Sequence, residues 1–333
     1  MHFVGDTLGL FRRTAPSFPY VSGGLRFADS QIEEDDLLAL TLPNSKPLMT
    51  RVPREQRILL LTEPSGFNPI NAKYANQFGV LISPYRVSGF QGRWVSSHPG
   101  LPWFYGVNFK THEQLSLEQL TDMKVPEKVP EVSVVISSKV FHDGHRARLR
   151  FVEQLQHQLG SRLHVFGRGI CEIDDKSDAI GPYAYHLALE NTEAPSYWTE
   201  KLSDAFLGYA YPLYVGCPNA TDWFPKDSFE QLSLKDPRHA IATVVRVLDE
   251  NRHRERLGAI KQSRAIALHQ ETVFNVLERA IGDLDVSRPR LPAPEVIQPL
   301  KKTLVDRIVR ESRRAFFNAT FRKSIQVPTQ KGR

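Results

Sequence analysis

Short apolar runs closed by turn formers mark the first third of the chain. Arg57-Ile58-Leu59-Leu60-Leu61-Thr62 stops at Glu63-Pro64-Ser65-Gly66 and reads as a buried strand ended by a turn. Glu63 then stands at a strand's C-terminal end, where open α/β sheets place their ligands. Val80-Leu81-Ile82 and Trp103-Phe104-Tyr105-Gly106 predict further short strands or strand edges. Upstream, turn formers at Ser22-Gly23-Gly24 and Pro43-Asn44-Ser45 flank an acidic run, Glu33-Glu34-Asp35-Asp36, that leads into Leu37-Leu38-Ala39-Leu40.

From Val132 onward the pattern changes. Val132 to Ile136 predicts a strand, and Gly144 to Leu159 a helix with Leu149, Val152 and Leu155 on one face. Arg162 to Phe166 predicts another strand, closed by Gly167-Arg168-Gly169. Tyr185 to Leu189 is strand-like, Thr199 to Tyr209 helical, and Tyr211 to Gly216 strand-like again. Strands alternating with single helices predict βαβ units and a parallel sheet. Asp236 to Asp283 follows as a mostly helical region. Residues 122 to 131, DMKVPEKVPE, combine two prolines with charges and form the linker candidate, and the Pro-rich joint Arg288 to Pro294 sets off a tail. The divisions expected are 1–125, 126–286 and 287–333.

Composition narrows the class. With 41% hydrophobic and 24% charged residues, 333 residues describe a soluble globular chain long enough for two domains, and exclude a disordered chain or a small disulfide scaffold. The formal charge of +6 suggests a basic protein, but it is unevenly placed. Twelve basic and three acidic residues from Ser287 to Arg333 leave the tail at +9 and residues 1–286 at −3. Cys171 and Cys217 alone supply neither a disulfide framework nor a clustered zinc site, which points to a reducing compartment. MHFVGDTLGLFRR lacks the apolar core of a signal peptide, and no apolar run reaches the roughly 18 residues that span a bilayer, so a cytoplasmic protein is expected.

Most of the readable chemistry lies in Tyr183 to Thr192 and Tyr197-Trp198-Thr199-Glu200-Lys201-Leu202. A strand delivers Glu190 and Asn191 to its C-terminal edge, and Thr199 is placed to cap a helix whose first turn holds Glu200 and Lys201. A helix N-terminus with a lysine favours phosphate, and a neighbouring carboxylate suits sugar hydroxyls. Arg168, in its Gly-Arg-Gly turn, offers a second cation with a planar fork. No G-x-G-x-x-G fingerprint is present, which disfavours a nicotinamide or flavin dinucleotide. By default Glu200-Lys201 is a solvated pair, Arg168 a surface cation and Glu63 a strand-end carboxylate. On the same footing Tyr197 packs on the sheet and Glu190 holds a backbone N–H.

These segments resemble the α1,3/4-fucosyltransferases of glycosyltransferase family 10, in a bacterial form. The family pattern Y-K-F-x-L-x-F-E-N, Y-[IV]-T-E-K-[LI], P-[VI]-x-x-G and P-x-x-[SA]-F is similar to Tyr183 to Asn191, Tyr197 to Leu202, Pro212 to Gly216 and Pro225 to Phe229. Ala147 to Phe151 and Val165 to Arg168 extend the resemblance upstream, and Glu63-Pro64-Ser65, Tyr85-Arg86 and Pro102 to Gly106 carry it thinly into the first half. It implies a GT-B architecture of α/β class: two Rossmann-like domains facing a cleft, the first binding an acceptor and the second GDP-fucose, followed by a basic helical tail. Carried over by position, Arg168 and Lys201 hold the diphosphate. Glu190, Asn191, Tyr197 and Glu200 meet the nucleotide sugar, and Glu63 is the general base. Ala184 stands where the family has lysine, Trp198 where it has Ile or Val, and Leu189 where it has Phe. The first departure leaves a donor contact at that position open.

The implied chemistry is an inverting transfer of L-fucose from GDP-fucose to a glycan hydroxyl, on lipopolysaccharide or a lipid-linked glycan, with no required cofactor and a divalent metal at most stimulatory. Another GDP-sugar in the same fold, or a non-catalytic binder of nucleotide or glycan, are the alternatives. Arg148 and Arg150 lie two apart, so at most one reaches the donor. His142, His145, His157 and His164 show no metal spacing, and Asp283-Leu284-Asp285 lies outside the donor constellation. The sequons at Asn219 and Asn318 are expected to stay unmodified in the absence of a secretory signal. Residues 300–323 predict a basic amphipathic helix lying on the anionic inner face of the plasma membrane, or packed back on the body. Nucleic acid is not an expected partner, because the body is acidic and carries no nucleic-acid module.

Overall fold

A computed structural model describes residues 1–4, 9–28, 36–41, 43–44, 46–64, 69–136, 143–282 and 284–301. The first unit contains β1 (His2–Val4), a hairpin of β2 (Tyr20–Ser22) and β3 (Leu25–Phe27), β4 (Leu38–Leu40), β5 (Leu48–Thr50), β6 (Arg57–Leu60), the short helix α1 (Ala72–Ala75), β7 (Val80–Ser83) and β8 (Arg93–Ser96). Five of these strands form one parallel sheet in the order β1-β4-β6-β7-β8. Side chains alternate across a strand, and here both faces are covered. Ala39, Ile58, Leu60, Val80 and Ile82 enter one apolar core, while Leu38, Leu40, Leu59 and Leu81 enter another. That two-sided burial is why β6 reads as a continuous apolar run rather than an alternating one.

After α2 (Leu117–Asp122) the second unit begins. It holds β9 (Val129–Val135), α3 (Asp143–Leu159), β10 (Leu163–Phe166), α4 (Ser177–Ile180), β11 (Tyr183–Leu189), α5 (Glu200–Leu207), β12 (Tyr211–Val215), β13 (Glu230–Gln231), α6 (Pro237–Asp249) and α7 (Arg252–His269). Its sheet is parallel throughout, in the order β10-β9-β11-β12-β13. The α/β architecture of two parallel sheets is the one expected. β11 lies at the centre, so the residues after it emerge at the middle of the sheet's C-terminal edge.

Two local expectations are corrected. The strand β9 starts at Val129, so the connector is shorter than residues 122–131, and Pro130 sits at the strand's beginning, where a missing N–H is tolerated. Lys128 anchors the connector by donating to the carbonyls of Ile180, Gly181 and Tyr183, and burial pushes its ammonium down to about 7. Trp103 to Gly106 is a loop. The N–H groups of Phe104 and Tyr105 donate to Asp204 Oδ1 and that of Gly106 to Asp175 Oδ1, so carboxylates take the bonds a neighbouring strand would have made.

The division at residue 286 follows chain order, whereas packing does not. Helix α8 (Val273–Ile281) opens with a Thr272–Asn275 capping box and buries Val273, Phe274, Val276, Leu277, Ala280 and Ile281 in a core of the first sheet. β14 (Glu295–Ile297) pairs antiparallel with β5, and its Ile297 enters the other core of that sheet. The chain therefore returns to the first unit after completing the second. The five larger of these side chains (Val273, Phe274, Val276, Leu277 and Ile281), at about 1.5–3 kcal/mol each, make this return a substantial stabilising contribution. Residues 302–333, which hold most of the basic tail, and Asp283 lie outside the described residues. Asp285 is exposed and accepts bonds from Ser287 N and Oγ. No helix among the described residues is long and apolar enough to cross a membrane.

Candidate active site

The local sequence builds one half of the site. After β11, Glu190 is 3% exposed, and its N–H donates to Val215 O, which continues the pairing with β12 for one residue. Thr199 is in extended backbone at the N-cap of α5, and its hydroxyl accepts from Lys201 N. The Glu190 carboxylate takes Thr199 N at 2.7 Å and Thr199 Oγ1 at 2.8 Å, which ties the strand end to the helix start. A Cβ added to Gly216 would fall 2.5 Å from Glu190 Cγ, so glycine is needed for this approach.

Lys201 Nζ lies 3.0 Å from Glu200 Oε1, 3.2 Å from Thr199 Oγ1 and 3.5 Å from Glu190 Oε2. Burial opposes its charge, but Glu200 and Glu190 outweigh burial and hold the ammonium above its ordinary value. For Glu200, burial raises the carboxyl while Lys201 and Lys176 pull it down to about 2. Glu190 moves the other way: burial raises it, and Lys201 recovers only part of the shift. The result is a lysine held charged at a helix N-terminus, with one firmly ionised carboxylate beside it.

Tyr197 is 3% exposed, and burial followed by the charges of Glu190, Glu200 and Glu63 pushes its phenol up. Arg148 donates through Nη1 to Leu189 O at 2.9 Å and feels Glu190 and Glu200, whereas Arg150 is exposed, so one arginine of the pair reaches the strand end. Asn191 is half-buried directly after Glu190.

From the first unit, Glu63 follows β6, whose pairing with β7 is prolonged by the bond from Leu61 N to Ile82 O. Glu63 is half-buried, and its carboxyl is raised by burial, lowered by Lys201 and raised by Glu200. Tyr85, after β7, is raised by burial and by Glu63. The C-terminal edge of the first sheet thus delivers a carboxylate into the field of the cation at the C-terminal edge of the second.

Arg168 lies elsewhere on the same edge. It is exposed in the turn between Gly167 and Gly169 after β10, two strands from β11 and so about 10 Å away laterally. Gly167 has φ +129° and a Cβ there would meet Ile136 O at 2.1 Å, which explains the first glycine of the turn. Ala184, where the resemblance has lysine, is buried near the start of β11, about 20 Å of strand from Glu190. That departure does not touch the site. Trp198 is buried with its ring stacked on His98 of the first unit at 4.1 Å and edge-on to Trp223 and Phe224, so its bulk joins the two units.

Two site residues escape a reading of motifs. Asp204 is 1% exposed, four residues after Glu200 on the same helix face, and Lys176 Nζ reaches Asp204 Oδ2 at 2.7 Å and Glu200 Oε1 at 3.7 Å. The helical spacing of Glu200 and Asp204 signals that a cation must face them. That it comes from the loop before α4 has no local signature. Among the described residues, no group of three His, Cys, Asp or Glu is disposed to hold a metal ion.

Residues 125–256 match the family described as glycosyltransferase family 10 (fucosyltransferase) C-term. The human 4-galactosyl-N-acetylglucosaminide 3-alpha-L-fucosyltransferase 9 is 27% identical over 133 residues, 38% of this chain and 36% of that protein. Alpha-(1,3)-fucosyltransferase FucT of Helicobacter pylori is 36% identical over 70 residues, 21% of this chain and 15% of that one. The chain therefore spans little more than a third of the mammalian relative and less of the bacterial one. A solved alpha1,3-fucosyltransferase with GDP-fucose covers 74% of this chain and 82% of its own at 18% identity, with a TM-score of 0.43.

Proposed function

We infer that this chain, whose residues 125–256 match glycosyltransferase family 10 (fucosyltransferase) C-term, is an inverting transferase that moves L-fucose from GDP-fucose to a glycan hydroxyl. One observation carries the reading: Glu63 of the first sheet lies in the electrostatic field of Lys201 and Glu200 of the second. A carboxylate at the end of β6 and a lysine at the start of α5 thus interact electrostatically across the two units. In the reaction, the acceptor oxygen forms a bond to the anomeric carbon as the bond from that carbon to the β-phosphate oxygen breaks. Glu63 receives the hydroxyl proton, and the departing electron pair stays on GDP. Lys201 meets the charge developing on the β-phosphate, with Arg168 as the second cation from the edge of the same sheet. Glu200, Asn191 and Tyr197 meet the nucleotide sugar. Glu190, buried behind Lys201 and bound to Thr199, holds the helix start in place.

A raised carboxyl suits Glu63 for this role, because a base with a pKa nearer the working pH accepts a proton with more driving force. The test is transfer from GDP-fucose to a glycan array together with acceptor-free release of GDP. Glu63→Gln is expected to lower transfer by at least 100-fold while GDP still raises the melting temperature. Transfer by that variant within a few-fold of the parent removes Glu63 from the base role, and no thermal response to GDP removes the donor assignment.

The acceptor is proposed to be a lipopolysaccharide or lipid-linked glycan, with the enzyme cytoplasmic and peripheral on an anionic membrane. The charge of +9 from Ser287 to Arg333 supports that position, at about 1 kcal/mol per basic residue near the surface. Co-sedimentation with anionic liposomes is expected for the full chain and is lost on deletion of residues 300–333. Binding that survives the deletion removes the tail from this role.

A further inference from the structure

Away from the donor constellation, a cavity of about 490 Å³ opens between the end of α2, the connector to the second sheet, and α7. Lys124, Lys261, Arg264 and His269 line it together with Thr121 and Tyr209, and none of its lining residues is acidic. Arg264 is 5% exposed. Its guanidinium donates to Leu207 O at 3.1 Å and to Leu120 O, and lies 4.5 Å from the Tyr209 ring centroid. Burial lowers Arg264, and the groups opposing that shift are the phenols of Tyr209 and Tyr105, with no carboxylate among them. His269 is lowered by burial and then by Arg264, and its Nε2 lies 3.5 Å from Thr121 Oγ1. Asp122, next to Thr121 in sequence, is exposed and outside the lining.

We propose that this cavity is a second anion site, built to take a phosphoryl group. Among the described residues the charge of Arg264 is met by two helix-end carbonyls and the Tyr209 ring but by no carboxylate, and the two lysines beside it add further positive charge. A carboxylate ligand offsets one charge, whereas a dianionic phosphoryl group accepts from several donors at once and matches the three formal cations better. The volume exceeds that of inorganic phosphate and falls in the range of small-molecule sites, so an organic portion can be seated with it. Lys124 belongs to the connector between the two sheets, and Arg264 bonds the C-terminal carbonyls of α2 and α5. An occupant therefore fastens the connector to α7.

The test is calorimetric titration of the full chain at low ionic strength with inorganic phosphate and, separately, with a hexose 1-phosphate. Parent and Lys124→Gln/Lys261→Gln double variant are compared. Both lysines are exposed, so their replacement leaves the fold intact, and Arg264 is kept because it joins α2 to α5. Binding of either probe to the parent is expected, weakened at least tenfold in the double variant and weakened by added salt. A tighter hexose 1-phosphate than phosphate identifies a sugar phosphate as the occupant, and equal affinity identifies the free ion. Absence of binding by both probes at millimolar concentration overturns the proposal. So does an affinity unchanged in the double variant, because the anion then sits elsewhere, the donor site included. Since the comparison uses no donor or acceptor, its failure is separate from any failure of the transferase reading.

Discussion

Lys176 and Asp204 offer the sharpest test of how the site is held. Asp204 is buried to 1% exposure, takes the N–H groups of Phe104 and Tyr105 on Oδ1, and meets Lys176 at 2.7 Å on Oδ2. Lys176→Met removes the ammonium that sits over Phe104, leaving a buried carboxylate that Glu200 repels and Arg13 attracts. Stranding a buried charge costs about 3–5 kcal/mol, and the two surviving N–H bonds place this case near 3. Asp204→Asn keeps an acceptor for the loop and strands Lys176, whose side chain is 17% exposed and still has Glu200 at 3.7 Å, so about 1.5 kcal/mol is expected. With both replaced, neither Lys176 nor Asp204 leaves its partner stranded, and Arg13 keeps Asp175 as a charged neighbour. The double variant should lose about 2 to 2.5 kcal/mol, less than the two single losses together, which is a coupling of about 2 kcal/mol.

The assay is a double-mutant cycle by urea unfolding at pH 7, followed by tryptophan fluorescence. A second readout is the pH dependence of the Lys176→Met deficit. Burial already raises Asp204, and loss of Lys176 raises it further. A carboxyl raised in the folded state has its stability fully present below its unfolded pKa and loses it as pH rises through the folded value. The deficit should accordingly be greatest near neutrality and shrink on acidification. Losses that add to within about 0.5 kcal/mol, or a deficit flat from pH 7 to 4, refute the reasoning.

Three further outcomes follow from the same structure. Because burial raises Glu63 and Lys201 draws it back, the acid limb of kcat/KM should titrate above the ordinary carboxyl value of 4.5 and move higher in Lys201→Met; a limb that stays in place separates the two residues. Burial drives His186 down to about 3, with Ser133 Oγ 2.8 Å from its Nδ1. Stability is therefore present above the unfolded value near 6.5 and lost as pH falls towards 3, by up to about 5 kcal/mol, and His186→Asn should flatten that part of the pH–stability curve. Phe274→Ala should cost about 3–5 kcal/mol by emptying the core between α8 and the first sheet, read as a lower urea midpoint; a loss below 1 kcal/mol detaches α8 from that core.

How far the site could be read in advance depends on how local its physics is. Glu190, Thr199, Glu200 and Lys201 occupy one strand end, one cap and one first turn, and the rules for caps and strand ends act over a few residues, so their meeting was legible from spacing alone. One default reading also holds, since Glu190 does accept a backbone N–H. A residue can thus be structural in its contacts and still set the field of the site. The contribution of Lys176 was not legible, because a lysine in a loop carries no periodicity, and only the paired carboxylates Glu200 and Asp204 declare the need for it. The return of α8 fails for another reason. Apolar residues at helical spacing establish that a face is buried but say nothing of which sheet buries it, and the nearest sheet in sequence was the wrong guide. That return also bears on the chemistry. His98, beside the first sheet, bonds Glu271 at the α7–α8 junction and stacks on Trp198, so the same contacts that hold the chain's return also join the unit bearing Glu63 to the one bearing Lys201.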